Sequence, residues 1–366
     1  MALASACGRK TGAGFAGYAL IATAGETSIT VVDLSDFQLL KQVHLDAAPQ
    51  KVCSAPDTDR SYVLTPGNGS VHAIDASFKR VLSRKLADRL DGFQLTADGK
   101  WILAIVGHAR ELLEMEAASL RVTRRWSLSA EPVSLDVARD GSVAISTGDQ
   151  GIVEFVDRRN DRQTRKEFNG TLGQARFRAD GKLLMVANYK GQALTALDVP
   201  SLQVIVDLPL AMRPENLCFN SDGGQLFVSG PGMDGVAIAF TYWPLEVEQT
   251  VLGGRDPGVM GCAGNTYLLI ASASGSDVCI LTIARRRMVG IVEVGQKPSY
   301  IAVTPDSQYA LVLNEASGDM AVIHVSSIQD RLSDAAKRRG KAGASLFTML
   351  AVGNQPIHAE IVPRLV

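Results

Sequence analysis

The sequence predicts an all-β fold, a β-propeller of about eight four-stranded antiparallel blades. Two observations predict it. Short runs rich in β-branched residues, bounded by Gly, Ser, Asp or Pro, recur along the chain as strands do. Two turn markers also recur at a spacing of roughly 40 residues, the length of one blade. Residues 267–308 display the unit. Its four runs, 268–271, 278–283, 289–294 and 300–303, are separated by turn-forming stretches at 274–277 and 295–298, and 305–307 follow the last. Read alone, this is a four-stranded meander.

The first marker is an acidic turn after the fourth run. It stands at Asp57, Asp98, Asp140, Asp180, Asp222 and Asp306, with Gly264 in the remaining slot, at spacings of 41, 42, 40, 42, 42 and 42. Four of these are Asp-Gly: Asp98-Gly99, Asp140-Gly141, Asp180-Gly181 and Asp222-Gly223. Aspartate tolerates tight turns and glycine accepts positive φ, so each links antiparallel strands. The second marker is a proline before the fourth run: Pro49, Pro132, Pro214, Pro257, Pro298 and Pro356, with Leu90 and Leu172 in the other slots. Proline has no N–H for a ladder and suits the first residue of a strand. The last gap, 58 residues against 40–43 elsewhere, locates an insertion at 329–344.

Eight units follow, starting near Tyr18, Ser61, Trp101, Ser142, Leu183, Gln225, Tyr267 and Tyr309. One unit buries its faces poorly, and stacking closes the core. Seven blades with a detached unit, or an open solenoid, are the alternatives. Residues 1–16 read as a tether and 17–366 as a single propeller domain.

Segments such as Leu184-Met185-Val186-Ala187-Asn188, Leu194-Thr195-Ala196-Leu197-Asp198 and Val294-Gly295-Gln296-Lys297-Pro298 resemble the YVTN-type β-propeller repeat. The resemblance extends from about Gly17 to Pro363. It implies that the strand after each proline is the innermost of its blade. It then implies that residues 357–362 complete the blade begun by residues 18–24, so that the two ends of the chain close the ring. Surface proteins, periplasmic binding modules and lactonase-like enzymes all carry such repeats, so the resemblance implies fold more than activity.

Net charge is −1, with both signs spread along the chain. No polybasic run with interleaved aromatics occurs, which argues against nucleic acid as a partner. No run of about 18 apolar residues occurs that would make a membrane span. The first residues, Met1-Ala2-Leu3-Ala4-Ser5-Ala6-Cys7, resemble the end of a lipoprotein signal, with Cys7 as the lipidated residue. Six residues cannot hold the basic start and the apolar core such a signal needs. Either the reading frame starts upstream of Met1 or this is an ordinary N-terminus. The first alternative gives the expectation of a periplasmic or cell-surface monomer, attached to the membrane only through a lipid.

Cys53 and Cys218 occupy the same slot four units apart, on opposite sides of a ring. Cys262 and Cys279 fall on an inner and a third strand, too far apart for a disulfide. Free cysteines acting as small hydrophobes are expected. No CxxC, CxxCH, HxH or HExxH occurs, and the glycine-rich pieces sit at hairpins rather than between strand and helix. No cofactor, metal site or catalytic motif is expected.

Propeller topology supplies the candidate site. Loops from an outer strand to the next inner strand converge on one mouth of the central channel. Here they carry Arg89, Asp91, Glu131, Arg213, Glu215, Arg255, Asp256 and Lys297. The loops between second and third strands add His108, Arg110, Asp149, Lys190 and Asp234. Convergent charges on a rigid scaffold suit ligand orientation. The expected function is non-catalytic binding of a protein, peptide or glycan at this mouth. The alternative that the resemblance implies is a lactonase-like hydrolase acting on a sugar lactone. Arg285-Arg286-Arg287 and the 329–344 insertion mark the opposite face as a second place for a partner.

Overall fold

The computed structural model describes residues 14–54, 59–328 and 346–364. Cys7, Asp57 and the 329–344 insertion lie outside the described residues. The described residues form eight four-stranded antiparallel sheets. Each sheet is one blade, and the inner strands of neighbouring blades touch all the way round.

The two ends of the chain share the first blade. Pro356–Pro363 pairs with Gly17–Thr23, placing Gly17 opposite Pro363, Tyr18 opposite Val362 and Ala22 opposite His358. Ser28–Asp33 and Gln38–His44 complete that sheet. The seven-blade alternative is overturned. The unit that carries the insertion still forms a whole blade, from Pro298–Val303 through Tyr309–Asn314 and Asp319–His324 to Leu346–Ala351. The pairing of the ends also excludes an open solenoid.

The meander at 267–308 needs a correction. Pro298–Val303 pairs with Tyr309–Asn314 and not with Arg287–Glu293. Arg287–Glu293 is the outer strand of the seventh blade, and residues 294–297 carry the chain back to the axis. The sequence repeat is therefore offset by one strand from the structural blade.

Burial explains the run pattern. Second and third strands lie between two neighbouring blades, so both their faces are covered. Leu183–Asn188 (LLMVAN) is buried through Ala187, and only the ends of Ala193–Asp198 reach solvent. Outer strands such as Arg162–Glu167 (RQTRKE) face water and carry charge. The core is a ring of inter-blade layers. Leu269 and Ile280 of the seventh blade meet Val312 and Ile323 of the eighth, each contributing about 1.5–3 kcal/mol by leaving water.

The acidic turns have a common geometry. The Oδ1 atoms of Asp98, Asp140, Asp180, Asp222 and Asp306 each accept the backbone N–H two residues on, at 2.8–3.1 Å. After four of them the glycine has φ between 67° and 90°, a conformation most side chains resist.

Candidate site at the channel and its mouth

Each inner strand is the edge of its sheet, so half of its backbone N–H groups lack a ladder partner. Side chains of the preceding blade supply the acceptors. Counting from the proline slot, the fourth residue reaches toward the next blade, and the fifth residue there donates. Asp136 accepts from Phe177 N–H at 2.7 Å, and Glu360 from Ser54 N–H at 3.0 Å. The Cys53 sulfur is paired in the same way with Leu95, and that of Cys218 with Cys262. One step up the strand, Ser134 Oγ accepts from Ala175 N–H at 3.2 Å. Edge protection and the polar lining of the channel are thus one arrangement.

The lining is chemically uneven. Asp136 is buried and also receives Gln94 Nε2 at 3.3 Å and Arg176 at 3.5 Å. Across the ring, the Tyr300 ring packs on that of His358 with centroids 4.5 Å apart. Burial raises the Tyr300 hydroxyl well above its ordinary range, helped by the negative charge of Glu360 and opposed by Arg176. Burial also lifts Glu360 to about 7, against the pull of the Ser54 N–H and the Lys51 ammonium. It pushes His358 down to about 3, with Lys51 adding to the shift. The Cys53 thiol is raised to about 11, again chiefly by burial.

Cys53, Cys218, Cys262 and Cys279 are free, as expected, but Cys218 and Cys262 lie together. Their sulfurs are 3.5 Å apart on adjacent inner strands. Cys218 is the fourth residue after Pro214, and Cys262 is the fifth after Pro257. Strand alternation turns the first toward the next blade and the second toward the preceding one, so they face each other. Cys279 lies buried on the third strand, as expected.

The charged loops all emerge on one face, at the mouth. Arg89 pairs with Asp91 at 3.0 Å, and Asp91 also accepts Gly107 N–H at 2.6 Å. Glu131 is exposed beside the same glycine. Arg213 pairs with Glu215 and lies over the Tyr189 ring, 5.5 Å from its centroid. Lys297 pairs with Glu315 at 2.8 Å, a partner the sequence did not suggest. Asp256 and Lys297 hold left-handed backbone, with φ of 47° and 56°, and the Asp256 N–H donates to Asp234 at 2.8 Å. Arg255 is exposed, and among the described residues its guanidinium has no ion-pair partner.

Both signs of charge stand round the mouth. Arg213, Arg255 and Lys297 are on the loops entering the sixth, seventh and eighth blades, and each has an acid close by, Glu215, Asp256 and Glu315 respectively. Asp91, Glu131 and Asp149 stand on the third and fourth blades, with Asp149 accepting Thr171 Oγ1 at 2.9 Å. Arg89 lies with these acids. His108, Arg110 and Lys190 are exposed on the same face.

On the opposite face, a cleft of about 380 Å³ is lined by Trp101, Arg124, Arg139, Arg158 and Arg159, with Asp98 and Asp140 at its edge. Buried Glu114 pairs with both Arg124 and Arg158. Arg286, also on that face, pairs with Glu248. Among the described residues no group of three or more His, Cys, Asp and Glu could hold a metal.

No family model and no curated protein matches the chain. Solved structures do. The dihydro-heme d1 dehydrogenase NirN in complex with DHE aligns over 94% of this chain and 75% of its own, with TM-score 0.75 and 13% identity. The C-terminal WD40 domain of Sif2 aligns over 82% of this chain and 87% of its own, with TM-score 0.66 and 12% identity. Kuenenia stuttgartiensis hydrazine synthase aligns over 87% and 98%, with TM-score 0.57 and 18% identity. At such identities the likeness is one of fold, and the fold is the β-propeller.

Proposed function

We propose that the protein is a binding propeller that takes an anionic group of its partner on the arc formed by Arg213, Arg255 and Lys297. The observation that carries this reading is the exposed Arg255 guanidinium, without an ion pair among the described residues, between two exposed cations on the neighbouring loops. Arginine grips a carboxylate bidentately, whereas lysine acts as a point charge. The exposed Arg213–Glu215 and Lys297–Glu315 pairs contribute little stability, so exchanging either carboxylate for a ligand's is cheap. The favoured partner is an acidic segment of a protein or peptide. Acidic glycans share that chemistry.

A second reading follows from the neighbour solved with DHE. The anionic group then belongs to a heme-type ligand lying across the mouth. This rests on fold likeness and on the same three cations.

Calorimetry with a poly-glutamate peptide and with heme, for wild type and for Arg213→Ala/Arg255→Ala, tests both. Loss of peptide binding alone in the double variant supports the first reading, and loss of heme binding alone supports the second. Unchanged binding of both places the site elsewhere, the Arg285–Arg287 face being next. Lactone turnover by the wild type, lost on changing Glu215 or Asp256, would replace both readings with the hydrolase one. Location at the cell envelope through Cys7, and the YVTN-type kinship, rest on sequence alone. Cys7→Ala should release the protein from the membrane fraction if the anchor exists.

A further inference from the structure

Two of the four described thiols are isolated. Cys53 lies in the second blade, across the ring from Cys218, and its sulfur is engaged with the Leu95 backbone. Cys279 is buried on a third strand, its sulfur close against Gly254. Burial raises both thiols to about 11, which leaves little thiolate at neutral pH and makes both poor nucleophiles.

Cys218 and Cys262 differ in three respects. Their sulfurs are already in contact at 3.5 Å. Both residues are half-buried, on inner strands at the channel. The hydrogen bond from Cys262 holds Cys218 below the ordinary thiol range, and the Arg176 guanidinium of the preceding blade adds to this. The same hydrogen bond, with burial, holds Cys262 above that range. The two sulfurs stand as an attacking and a resolving thiol must for thiol–disulfide exchange, and the Arg176 guanidinium favours thiolate at Cys218.

We propose that Cys218 and Cys262 form a redox-active pair that reduces low-molecular-weight disulfides and closes to a disulfide joining the inner strands of the sixth and seventh blades. The Cys218 thiolate attacks one sulfur of RS–SR. A Cys218–SR bond forms, the S–S bond breaks, and RS⁻ leaves to take up a proton. Cys262 then gives up its proton and attacks the Cys218 sulfur, forming the intramolecular disulfide and releasing the second RS⁻. Two cysteine thiols are oxidised by two electrons, and one RSSR becomes two RSH. Forming the bond requires the sulfurs to close from 3.5 Å to about 2.05 Å. The two inner strands belong to different sheets, so no ladder hydrogen bond between them resists the movement.

Oxidised glutathione is the probe, applied to the reduced full-length chain at neutral pH and followed by intact mass and peptide mapping. Wild type should yield a peptide cross-linked between Cys218 and Cys262, two hydrogens lighter than the reduced peptides, whatever adduct Cys7 takes. Cys262→Ser should stop at a glutathione adduct on Cys218. Cys218→Ser should react at least tenfold more slowly than Cys262→Ser. The wild-type measurement needs no variant to fold. Adducts on Cys53 or Cys279 in place of the cross-link, or an unchanged mass, overturn the proposal. Equal rates for the two single variants overturn the assignment of Cys218 as the attacking thiol.

Discussion

The Glu360 carboxylate accepts the Ser54 backbone N–H at 3.0 Å and so joins the last inner strand of the chain to the inner strand of the second blade. Two residues earlier on the same strand, His358 faces the same neighbour. Burial moves the two groups in opposite directions, Glu360 up to about 7 and His358 down to about 3.

Their pH effects on stability therefore oppose each other. Glu360 releases its proton near 4.5 when unfolded and near 7 when folded, so its contribution falls as pH rises through that window. His358 takes up its proton below about 6.5 when unfolded and only near 3 when folded, so its contribution falls as pH drops through that window. Each effect amounts to at most a few kcal/mol, at about 1.4 kcal/mol per unit of pKa. Between pH 4.5 and 6.5 they offset. Glu360→Gln should make the melting temperature climb with pH across that interval, relative to wild type, and His358→Gln should make it decline. Melting curves that track the wild type in parallel would remove this account.

Glu114 is fully buried beneath two guanidiniums, and Arg158 is nearly so. Removing the carboxylate leaves a buried charge without its partner. Glu114→Ala should lower unfolding free energy by about 3–5 kcal/mol, measured by urea denaturation. A loss below about 1 kcal/mol would mean that the arginines swing out to water.

Deleting the last strand, Pro356–Pro363, strips the first blade of its inner strand and breaks the contacts that complete the ring. The truncated chain should melt at a lower temperature and with a broader transition. An unchanged melting point and denaturant slope would show that closure contributes nothing.

Two glycines flanking Asn68 should behave differently. A Cβ on Gly67 would meet nothing within 4 Å, whereas one on Gly69 would stand 2.0 Å from the Ala87 carbonyl, with φ at 63°. Gly67→Ala should change stability by under about 0.5 kcal/mol. Gly69→Ala should cost about 1–3 kcal/mol or more. Thermal denaturation of the two variants side by side decides it.

Blade boundaries were legible because turn chemistry is local. The strands that begin at Trp101, Leu183, Gln225, Tyr267 and Tyr309 start where the repeat count put them, and the others start within one residue. The order of strands within a blade was legible for the same reason. The pairing of Lys297 with Glu315 was not, since it depends on how far two loops approach. The channel lining was missed because Asp136, His358 and Glu360 read as ordinary alternation in a strand. Polar residues recurring at the second and fourth places after the proline were the signal available. Cys218 and Cys262 escaped notice because they sit at different places in their repeats, and it is that odd offset which turns them toward each other.

Closure by the last strand also sets an order of events during synthesis. Gly17–Thr23 is translated more than 300 residues before its inner-edge partner, Pro356–Pro363. At about 5–20 residues per second, the first blade waits on the order of tens of seconds with three strands and an open edge. Over that interval Gly17–Thr23 is a template for strands from other nascent chains. The ring that leaves no unpaired inner blade in the finished protein makes the ribosome-bound chain vulnerable to mispairing, and that vulnerability ends only when the last strand docks.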